Sequence, residues 1–401
     1  MGGRITIEHV SSWEKDITDE LLALDNESAR RSLVMTENAD QAWLTIEGQR
    51  MLNLASNNYL GLAGDERLKH AMIEAIQHYG VGSTSSRLIV GSHPLYDKAE
   101  KELIKWKHTE AGIIVNSGYV ANIGVISALT GRDDVVFSDK LNHASIVDGI
   151  VLSRAKHRRY RHKDLNHLEA LLQREPIEKR KLIVTDTVFS MDGDIADLKG
   201  LVELKERYNA LLMVDEAHAT GVYGENGTGY AEMEHLQSKV DIQMGTFSKA
   251  LGSYGAYVVG DKWLIDYLIN RMRSLIYTTA LPPAVLGSII KSIEIAQQAG
   301  QKRQSLHDLA YHFRSELFRN GFNICSSETQ IVPILVGEND LSIHFARLLQ
   351  QEGIAAIPVR PPTVPEKESR VRFTITSAQA REDIKWALDR IIYVGKSLGV
   401  I

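Results

Sequence analysis

The sequence predicts an α/β protein with a large, mostly parallel sheet and a small α+β C-terminal domain. Between about residues 60 and 290, short apolar runs alternate with amphipathic helices, which is typical of parallel strands covered on both faces. From residue 291 onward, helices alternate with strands that have one polar face. The chain has 401 residues, of which 44% are hydrophobic, so it is long enough to build a sizeable core.

An N-terminal arm is expected over residues 1–50. Residues 13–31 have the apolar periodicity of a helix, and residues 42–56 predict two paired strands around a turn at Gly48. Three apolar residues share one face of the expected helix: Ile17, Leu21 and Leu24.

The large domain is expected to span residues 51–290. Its clearest helix follows Asp164, which is placed to cap it. Ligands of such sheets bind beyond the carboxyl ends of the strands, so polar residues just after each strand are the candidates for function. Six apolar runs predict strands: AGIIV (111–115), DVVFSD (134–139), KLIVTDTVF (181–189), ALLMVDEAH (210–218), VDIQMGTFS (240–248) and AYVVG (256–260).

The C-terminal domain, residues 291–401, contains the segment RVRFTIT (370–376). Its apolar residues alternate with polar ones, so Arg372 is expected to point away from the core. An arginine fixed in this way is a candidate clamp for an anion. A solvated arginine on an edge strand is the equally common alternative on this feature alone.

Composition excludes several classes of protein. With 46 basic and 51 acidic residues the formal charge is −5, which argues against a general nucleic-acid binder. The single Cys325 excludes an internal disulfide and a cysteine-based zinc site, and we expect no metal. There is no signal-peptide pattern and no run of 18 apolar residues, so we expect a cytoplasmic protein that does not enter a membrane.

Asp215 lies at the end of a predicted strand, and His218 follows three residues later. One interpretation is the Asp-Glu-Ala-His segment of a nucleotide hydrolase. That chemistry needs a G-x-x-x-x-G-K-[ST] phosphate loop, which the sequence lacks. The other interpretation is a carboxylate that pairs with the ring nitrogen of pyridoxal phosphate, because a protonated ring is the electron sink that this cofactor supplies.

A pyridoxal phosphate enzyme also needs a lysine for the cofactor's aldehyde, and Lys249 follows another predicted strand. Thr246 and Ser248 flank it with hydroxyls that suit a phosphate. A lone lysine in a loop rich in serine and glycine is usually a surface residue. The order of a strand with Asp215 and His218, followed by a strand with Lys249, is much more specific.

Three further positions follow predicted strands. Gly118 and Tyr119 could open a helix whose free N–H groups receive a phosphate. His143 could stack on a ring and donate to a developing oxyanion, although alone it is more often an ordinary loop residue. Ser190 lies just past the strand that ends near residue 189.

Nine segments follow one another along the chain: NYLGL (58–62), GSTSSRLIVGSH (82–93), SGYVAN (117–122), NHASIVDG (142–149), the H-x-D helix opening at 162–164, VFSMDGDIADL (188–198), DEAHATGVYGENGTG (215–229), TFSKALGSYG (246–255) and TTALPP (278–283). In this order they resemble the α-oxoamine synthases over about residues 15–395. These are fold-type I pyridoxal phosphate enzymes that condense an amino acid with an acyl thioester and release carbon dioxide.

The resemblance implies catalytic roles for four residues. Lys249 would form the Schiff base with the aldehyde, and His143 would stack over the ring. Asp215 would pair with the ring nitrogen and His218 with the ring hydroxyl. The remaining cofactor contacts would come from Gly118, Tyr119, Ser190, Thr246 and Ser248, and from Thr278 and Thr279 of a neighbouring subunit.

Contacts to substrate also follow from the resemblance. Asn57 and Arg372 match the pair that holds the amino-acid carboxylate. The stretch IPVRPPTVP (357–365) resembles the members that use L-alanine and a pimeloyl thioester of coenzyme A or acyl carrier protein. In those members Thr363 and an arginine of the arm, here Arg30 or Arg31, would contact substrate. The shared phosphate site implies a homodimer.

Several alternatives stay open at this point. Glycine C-acetyltransferase, 5-aminolevulinate synthase and serine palmitoyltransferase share the family pattern. A catalytically inactive partner subunit would keep the fold without Lys249 and Asp215, which are present. Asp186 stands where a glutamate is common in the family, and we expect that this departure leaves the cofactor roles unchanged. The basic cluster 154–163 is either a solvated surface or a contact for phosphates of the acyl carrier.

Overall fold

The computed structural model describes residues 8–401, with side chains described from residue 12. The N-terminal elements are α1 (Glu8–Asn26), β1 (Thr36–Glu37), β2 (Trp43–Ile46) and β3 (Gln49–Asn53). As predicted, β2 and β3 pair antiparallel around Gly48, which has a positive φ of 79°. The predicted helix also forms, but its apolar face has no partner within the described chain. Its exposed apolar residues are Trp13, Ile17, Leu21, Leu22 and Leu24.

The central part of the chain builds a seven-stranded sheet with helices on both faces. Its first elements are α2 (Glu66–Tyr79), a π-helical turn (Arg87–Gly91), α3 (Pro94–Lys107), β4 (Ala111–Val115), α4 (Gly118–Leu129), β5 (Val135–Asp139), α5 (Ala144–Ser153), β6 (Lys156–Tyr160), α6 (Leu165–Leu172) and β7 (Lys181–Asp186). There follow α7 (Leu198–Arg207), β8 (Leu211–Asp215), α8 (Tyr230–Met233), a 3₁₀ turn (Gln237–Lys239), β9 (Ile242–Thr246), β10 (Ala256–Gly260), α9 (Lys262–Arg271), α10 (Arg273–Ile276) and α11 (Pro283–Gln297).

The strand order in this sheet is β4-β10-β9-β8-β7-β5-β6, and only β10 runs antiparallel to its neighbours. All six runs predicted as strands form strands. Along β5, Val135 and Phe137 pack in a core with α6 and α7, whereas Val136 packs in a separate core with α4 and α5. Burial of a side chain such as Phe137 contributes roughly 2–3 kcal/mol. Both faces of the sheet are therefore covered, as the apolar runs predicted.

One strand is missing from the sequence prediction. Residues 156–160, within the basic cluster, form β6 at the edge of the sheet. An edge strand tolerates charged side chains because one of its sides faces solvent. The charges of Lys156 and Arg158 are met by Glu175. The run lacks the apolar character on which the other strands were recognised.

The C-terminal elements are α12 (Gly300–Arg319), β11 (Ile331–Gly337), α13 (Asn339–Gln351), β12 (Ile354–Ala355), β13 (Ile357–Val359), β14 (Ser369–Thr374) and α14 (Arg381–Ser397). β14 pairs antiparallel with both β11 and β13, and β12 joins β3 of the N-terminal sheet. Val371 and Phe373 are fully buried, and Arg372 lies on the opposite face, as predicted. The division expected after residue 290 falls inside α11. No helix among the described residues is long and apolar enough to span a bilayer.

A histidine cation ties the loops around the sheet together. His162 Nδ1 lies 2.9 Å from Asp139 Oδ1, and its Nε2 lies 2.8 Å from Asp194 Oδ2. Burial opposes the charge, but the hydrogen bonds and charges of the two carboxylates outweigh it and raise the pKa of His162 to about 9. Ser326 of the C-terminal part also donates to Asp194. The cation therefore holds two buried carboxylates and a distant segment in one cluster.

We predict that His162→Gln destabilises the protein by about 3 kcal/mol at pH 6.5, because Asp139 loses its counterion and Asp194 keeps only Lys163, whose Nζ lies 3.4 Å away. The folded pKa of His162 lies above its unfolded value near 6.5, so this stabilisation is complete below pH 6.5 and is lost as the pH rises through 9. Urea unfolding at pH 6.5 and pH 10 measures the difference. The exposed His78→Gln is the control, and an equal loss at both pH values would contradict the assignment.

Candidate active site

Three adjacent strands end at the candidate site. Asp186 is the last residue of β7, Asp215 the last of β8 and Thr246 the last of β9, and the first two are partners in register. The loop after β9 brings Lys249 into the same cavity. The site therefore lies beyond the carboxyl ends of the strands, where the sequence predicted it.

The Lys249 amine has an unusual environment. Its Nζ lies 3.0 Å from Nε2 of His218. The pKa of Lys249 is lowered to about 8: burial is the main cause and the Arg372 charge acts in the same direction, while Asp215 and Asp186 oppose them. A lysine with this pKa has a substantial neutral fraction near physiological pH. It is therefore suited to act as a nucleophile or as a base.

Asp215 is buried, with 4% of its surface exposed, and is held by two donors. The backbone N–H of Ala217 donates to Oδ1 at 2.8 Å, and Nδ2 of Asn122 donates to Oδ2 at 2.8 Å. Among the described residues no cation forms an ion pair with this carboxylate. A buried anion without a cation favours a positively charged ligand atom.

His218 connects the lysine to a chain of polar side chains. Its Nδ1 lies 2.6 Å from the hydroxyl oxygen of Tyr59, which in turn lies 3.2 Å from Oδ1 of Asn57. Burial holds the pKa of His218 well below its usual value, so the ring is neutral. Burial also raises the pKa of Tyr59 to about 12, which keeps its hydroxyl protonated. Sequence reasoning quoted Tyr59 within a motif but gave it no role.

Arg372 completes this chain at the other end. Its Nη2 donates to Asn57 Oδ1 at 3.1 Å, and its Nε donates to the backbone oxygen of Ser190 at 2.6 Å. The structure therefore brings together the predicted pair Asn57 and Arg372. A continuous set of contacts leads from this arginine through Tyr59 to the amine at 249.

His143 lies at the first turn of α5 and lines the cavity. Its backbone N–H donates to Asp186 Oδ2 at 2.8 Å, and burial lowers the pKa of the His143 ring. Asp186, noted from the sequence only as a departure from the family pattern, lines the same cavity. Burial, followed by the charge of Asp215, raises the pKa of Asp186 well above its usual value. Its place inside the apolar run 181–189, which predicted one longer strand, gave no signal of this position.

A potential phosphate site lies at another wall of the cavity. The helix predicted to open at Gly118 is α4, and Ser117 caps it by accepting the N–H of Val120. The first N–H groups of a helix favour an anion. The hydroxyls of Thr246 and Ser248 lie 2.7 Å apart on the facing loop. This wall is lined by Gly118, Tyr119, Thr246 and Ser248.

A second cavity of about 590 Å³ adjoins the first, and His143 lines both. Ser190 and Thr363 line this second cavity rather than the first. Its walls also include Val147 and Met191, and Lys140 and Arg159 are exposed beside it. Two predicted groups of site residues are therefore separated into neighbouring spaces that meet at His143.

Six predicted residues line neither cavity: Asn57 and Arg372, whose contacts are given above, and four others. Thr278 and Thr279 lie beside Asn116, which donates to the hydroxyl of the first and the backbone oxygen of the second. Arg30 is paired with Asp25 at 2.6 Å. Arg31 donates to the backbone oxygen of Pro361 at 3.1 Å, next to the segment that carries Thr363. Of the two arginines left open by the sequence, Arg31 is thus the nearer to that segment.

The residues present fit a phosphorylated aromatic aldehyde. A buried amine of lowered pKa faces the cavity, a buried carboxylate without a cation lies at its floor, and a helix N-terminus forms one wall. The Oδ1 atom of Asn122 is also buried without a hydrogen-bond partner. Among the described residues no group of three or more metal-type side chains could bind a metal ion.

Comparison with known proteins identifies the class as pyridoxal phosphate-dependent transferases. The aminotransferase class I and II profile matches residues 49–391. A protein of Bacillus cereus (strain G9842), provisionally named 8-amino-7-oxononanoate synthase, is 56% identical over 386 residues, covering 96% of this chain and 98% of that protein. The chain belongs to the α-oxoamine synthase family, as its nine segments predicted.

Solved structures have the same fold, which is fold-type I. The serine palmitoyltransferase variant from S. paucimobilis with bound PLP–myriocin aldimine superposes with a TM-score of 0.92 and 30% identity, covering 97% of this chain and 99% of that one. The 8-amino-7-oxononanoate synthase from Francisella tularensis has a TM-score of 0.76 and 30% identity, with 86% and 98% covered. The family and the fold-type I structure predicted from the sequence are confirmed.

We predict that Lys249 reacts with an amine reagent at a pH well below that of the other lysines. Its pKa of about 8 makes the neutral amine abundant, whereas an exposed lysine titrates near 10.4. Labelling of cofactor-free protein with a dilute acylating reagent from pH 6.5 to pH 11, read peptide by peptide in a mass spectrometer, gives each titration. Half-maximal labelling of Lys249 above pH 10 would show that its environment is not as described.

Proposed function

We propose that this protein is an 8-amino-7-oxononanoate synthase of the cytoplasm. It would condense L-alanine with a pimeloyl thioester, carried by coenzyme A or by acyl carrier protein, and release 8-amino-7-oxononanoate and carbon dioxide. The observation that carries the proposal is the pair of cavities that meet at His143, one with the reactive amine and one with room for an acyl chain. The names of the 56% identical relatives support the same reaction.

Pyridoxal phosphate, when bound, supplies a sink for the electron pair left on the α-carbon. Lys249 would hold its aldehyde and later move the α-proton, for which a lowered pKa is required. Asp215 would keep the ring nitrogen protonated, and His218 would face the ring hydroxyl. The N-terminus of α4, with Thr246, would receive the phosphate.

Arg372 and Asn57 would bind the carboxylate of alanine. The arginine is held by Ser190 and Asn57 in a fixed orientation, so it can grip a carboxylate without reorganising. A fixed carboxylate sets which α-carbon bond stands perpendicular to the ring. Proton removal by Lys249 therefore depends on this clamp as much as on the base itself.

The cavity of about 590 Å³ would take the acyl chain. Val147 and Met191 offer apolar contact, and Thr363 offers a hydroxyl. Lys140 and Arg159 form no ion pair with a carboxylate within residues 8–401, and they lie beside the same cavity. Arg31 next to the Thr363 segment adds a third cation. Asp148 and Asp192 also line this cavity, so its charges are mixed. The unpaired cations Lys140 and Arg159 would bind the terminal carboxyl group of a pimeloyl chain.

Serine palmitoyltransferase is the second candidate, because a solved structure of that enzyme has the TM-score of 0.92. Its sequence identity to this chain is 30%, the same as that of the Francisella tularensis synthase, so identity to these solved structures does not separate the two functions. The names of the 56% identical relatives favour the pimeloyl substrate.

A substrate panel tests the function. The holoenzyme is given alanine, glycine or serine with pimeloyl, acetyl, succinyl or palmitoyl thioester, and carbon dioxide and ketone products are measured. We expect turnover with alanine and the pimeloyl thioester to exceed every other pair by about 100-fold or more, since a missing or additional substrate group costs 1–3 kcal/mol per contact. Preference for glycine, or for serine with the palmitoyl thioester, would assign to the protein the activity of another member of the family.

In the same assay Arg372→Ala should raise the KM for alanine far more than the KM for the thioester. Arg347→Ala, an exposed arginine on α13, is the matched control. Equal effects of Arg372→Ala on both substrates would reject the carboxylate clamp.

The second subunit is also part of the proposal. Thr278 and Thr279 lie outside the cavities of their own chain, and the nearby surface is strongly apolar. The exposed apolar residues there are Ile89 (75%), Val90 (74%) and Tyr277 (72%). An apolar surface of this kind marks a protein interface. We propose a homodimer in which the two threonines reach the phosphate of the partner's site.

We predict that mixed dimers recover activity from two inactive variants. Lys249→Ala removes the amine, and the double variant Thr278→Ala, Thr279→Ala weakens the phosphate site of the neighbour. In a mixed dimer one site has both alterations and the other has neither, so refolding a one-to-one mixture should restore about a quarter of the wild-type sites. Activity of the mixture no greater than the mean of its components would contradict shared sites.

A further inference from the structure

We propose that Ser145 and Asn122 are positioning residues that hold the His143 ring as its Nε2–H tautomer and link that ring to Asp215. The inference concerns the cofactor site and rests on the proposed function only for its consequence in the reaction. Both residues line the cavity, and both are buried, with 0% and 1% of their surface exposed. The sequence assigned no role to either of them.

The tautomer follows from the donor that faces the ring. The backbone N–H of Ser145 points to Nδ1 of His143 at 3.2 Å, and the side chain of His143 caps α5 through this bond. A backbone N–H can only donate, so Nδ1 must present its lone pair. The hydroxyl of Ser145 lies 2.7 Å from the same nitrogen and donates to it as well. The ring proton of the neutral imidazole is therefore on Nε2.

The donors and acceptors in the hydrogen bonds of Asn122 and Ser145 follow from Asp215, at the other end of the chain of contacts. An ionised carboxylate only accepts, so the contact of 2.8 Å between Asn122 Nδ2 and Asp215 Oδ2 uses one amide proton. The second amide proton goes to the hydroxyl oxygen of Ser145 at 2.9 Å. That hydroxyl then has its own proton free for His143. One orientation uses every donor of this chain and leaves only the Oδ1 atom of Asn122 without a partner.

Charged groups face His143 from every side of the cavity. Asp186 at the end of β7 accepts its backbone N–H, and Asp148 lies on its own helix. Asp215 at the end of β8 favours the protonated ring, whereas Lys249 after β9 opposes it. Donation from Ser145 to Nδ1 also opposes protonation of the ring, because it is possible only while Nδ1 is unprotonated.

The consequence is a neutral donor at the meeting point of the two cavities. In the proposed reaction negative charge develops on the thioester oxygen when the new carbon–carbon bond forms. An Nε2–H held in place would stabilise that oxygen without a proton transfer. A ring protonated on both nitrogens would instead compete with the ring nitrogen of the cofactor for Asp215.

Nuclear magnetic resonance of ¹⁵N-histidine protein tests the tautomer without any substrate. Long-range ¹H–¹⁵N spectra are recorded with and without pyridoxal phosphate, and His143→Gln identifies the signal. The expected result at pH 7 is a neutral ring protonated on Nε2. A ring protonated on Nδ1, or a cationic ring, in the wild-type protein overturns the proposal without the use of any variant.

Ser145→Ala should raise the pH at which the ring titrates by about one unit, because the neutral form loses a donor. It should also lower kcat for the thioester step about tenfold, with little change in the KM for alanine. Ser145→Thr, which keeps the hydroxyl, should restore both values. An unchanged titration in Ser145→Ala overturns the proposal.

Ser153→Ala is the matched control, since this buried serine of the same helix bonds only within its own turn. It should leave the titration of His143 unchanged, and an equal shift in this control would also overturn the proposal. If the substrate panel fails while the spectra show the Nε2–H tautomer, the proposed function is wrong and the positioning stands.

Discussion

A buried carboxylate that lacks a cation governs the design of this site. Asp215 sits at the end of β8 with two donors and no ion pair among the described residues, an arrangement that is unfavourable in an isolated protein. It becomes favourable when a ligand brings a positive atom to the same place. The protonation states of the neighbouring side chains leave this place open for the ligand. The amine of Lys249 is kept partly neutral, and the ring of His218 is kept wholly neutral, so neither takes the place of that ligand.

The sheet explains how groups so far apart in sequence meet. β10 is antiparallel to both β9 and β4, so β4 runs in the same direction as β9 and ends at the same edge. The helix that follows β4 therefore begins beside the loop that carries Lys249.

Local patterns predicted much of this from sequence. The alternation around Arg372 gave its face, the cap at Asp164 gave the start of α6, and strand ends gave Asp215 and Lys249. What failed depends on contacts between distant elements. Asp186 looked like a strand interior, and Asn122 and Ser145 looked like ordinary helix residues, because nothing local reveals that all three face one cavity. β6 was missed since an edge strand does not need apolar residues.

Arg372 does more than hold a carboxylate, because its charge is one of the influences that lower the pKa of Lys249. Neutralisation of that guanidinium by an arriving carboxylate removes this influence, so the amine becomes a stronger base. In the proposed reaction the amino acid would thereby switch on the group that deprotonates it. In the site without amino acid, Lys249 would stay weakly basic and available to the aldehyde. Binding of the amino acid would make the same side chain basic enough to remove the α-proton.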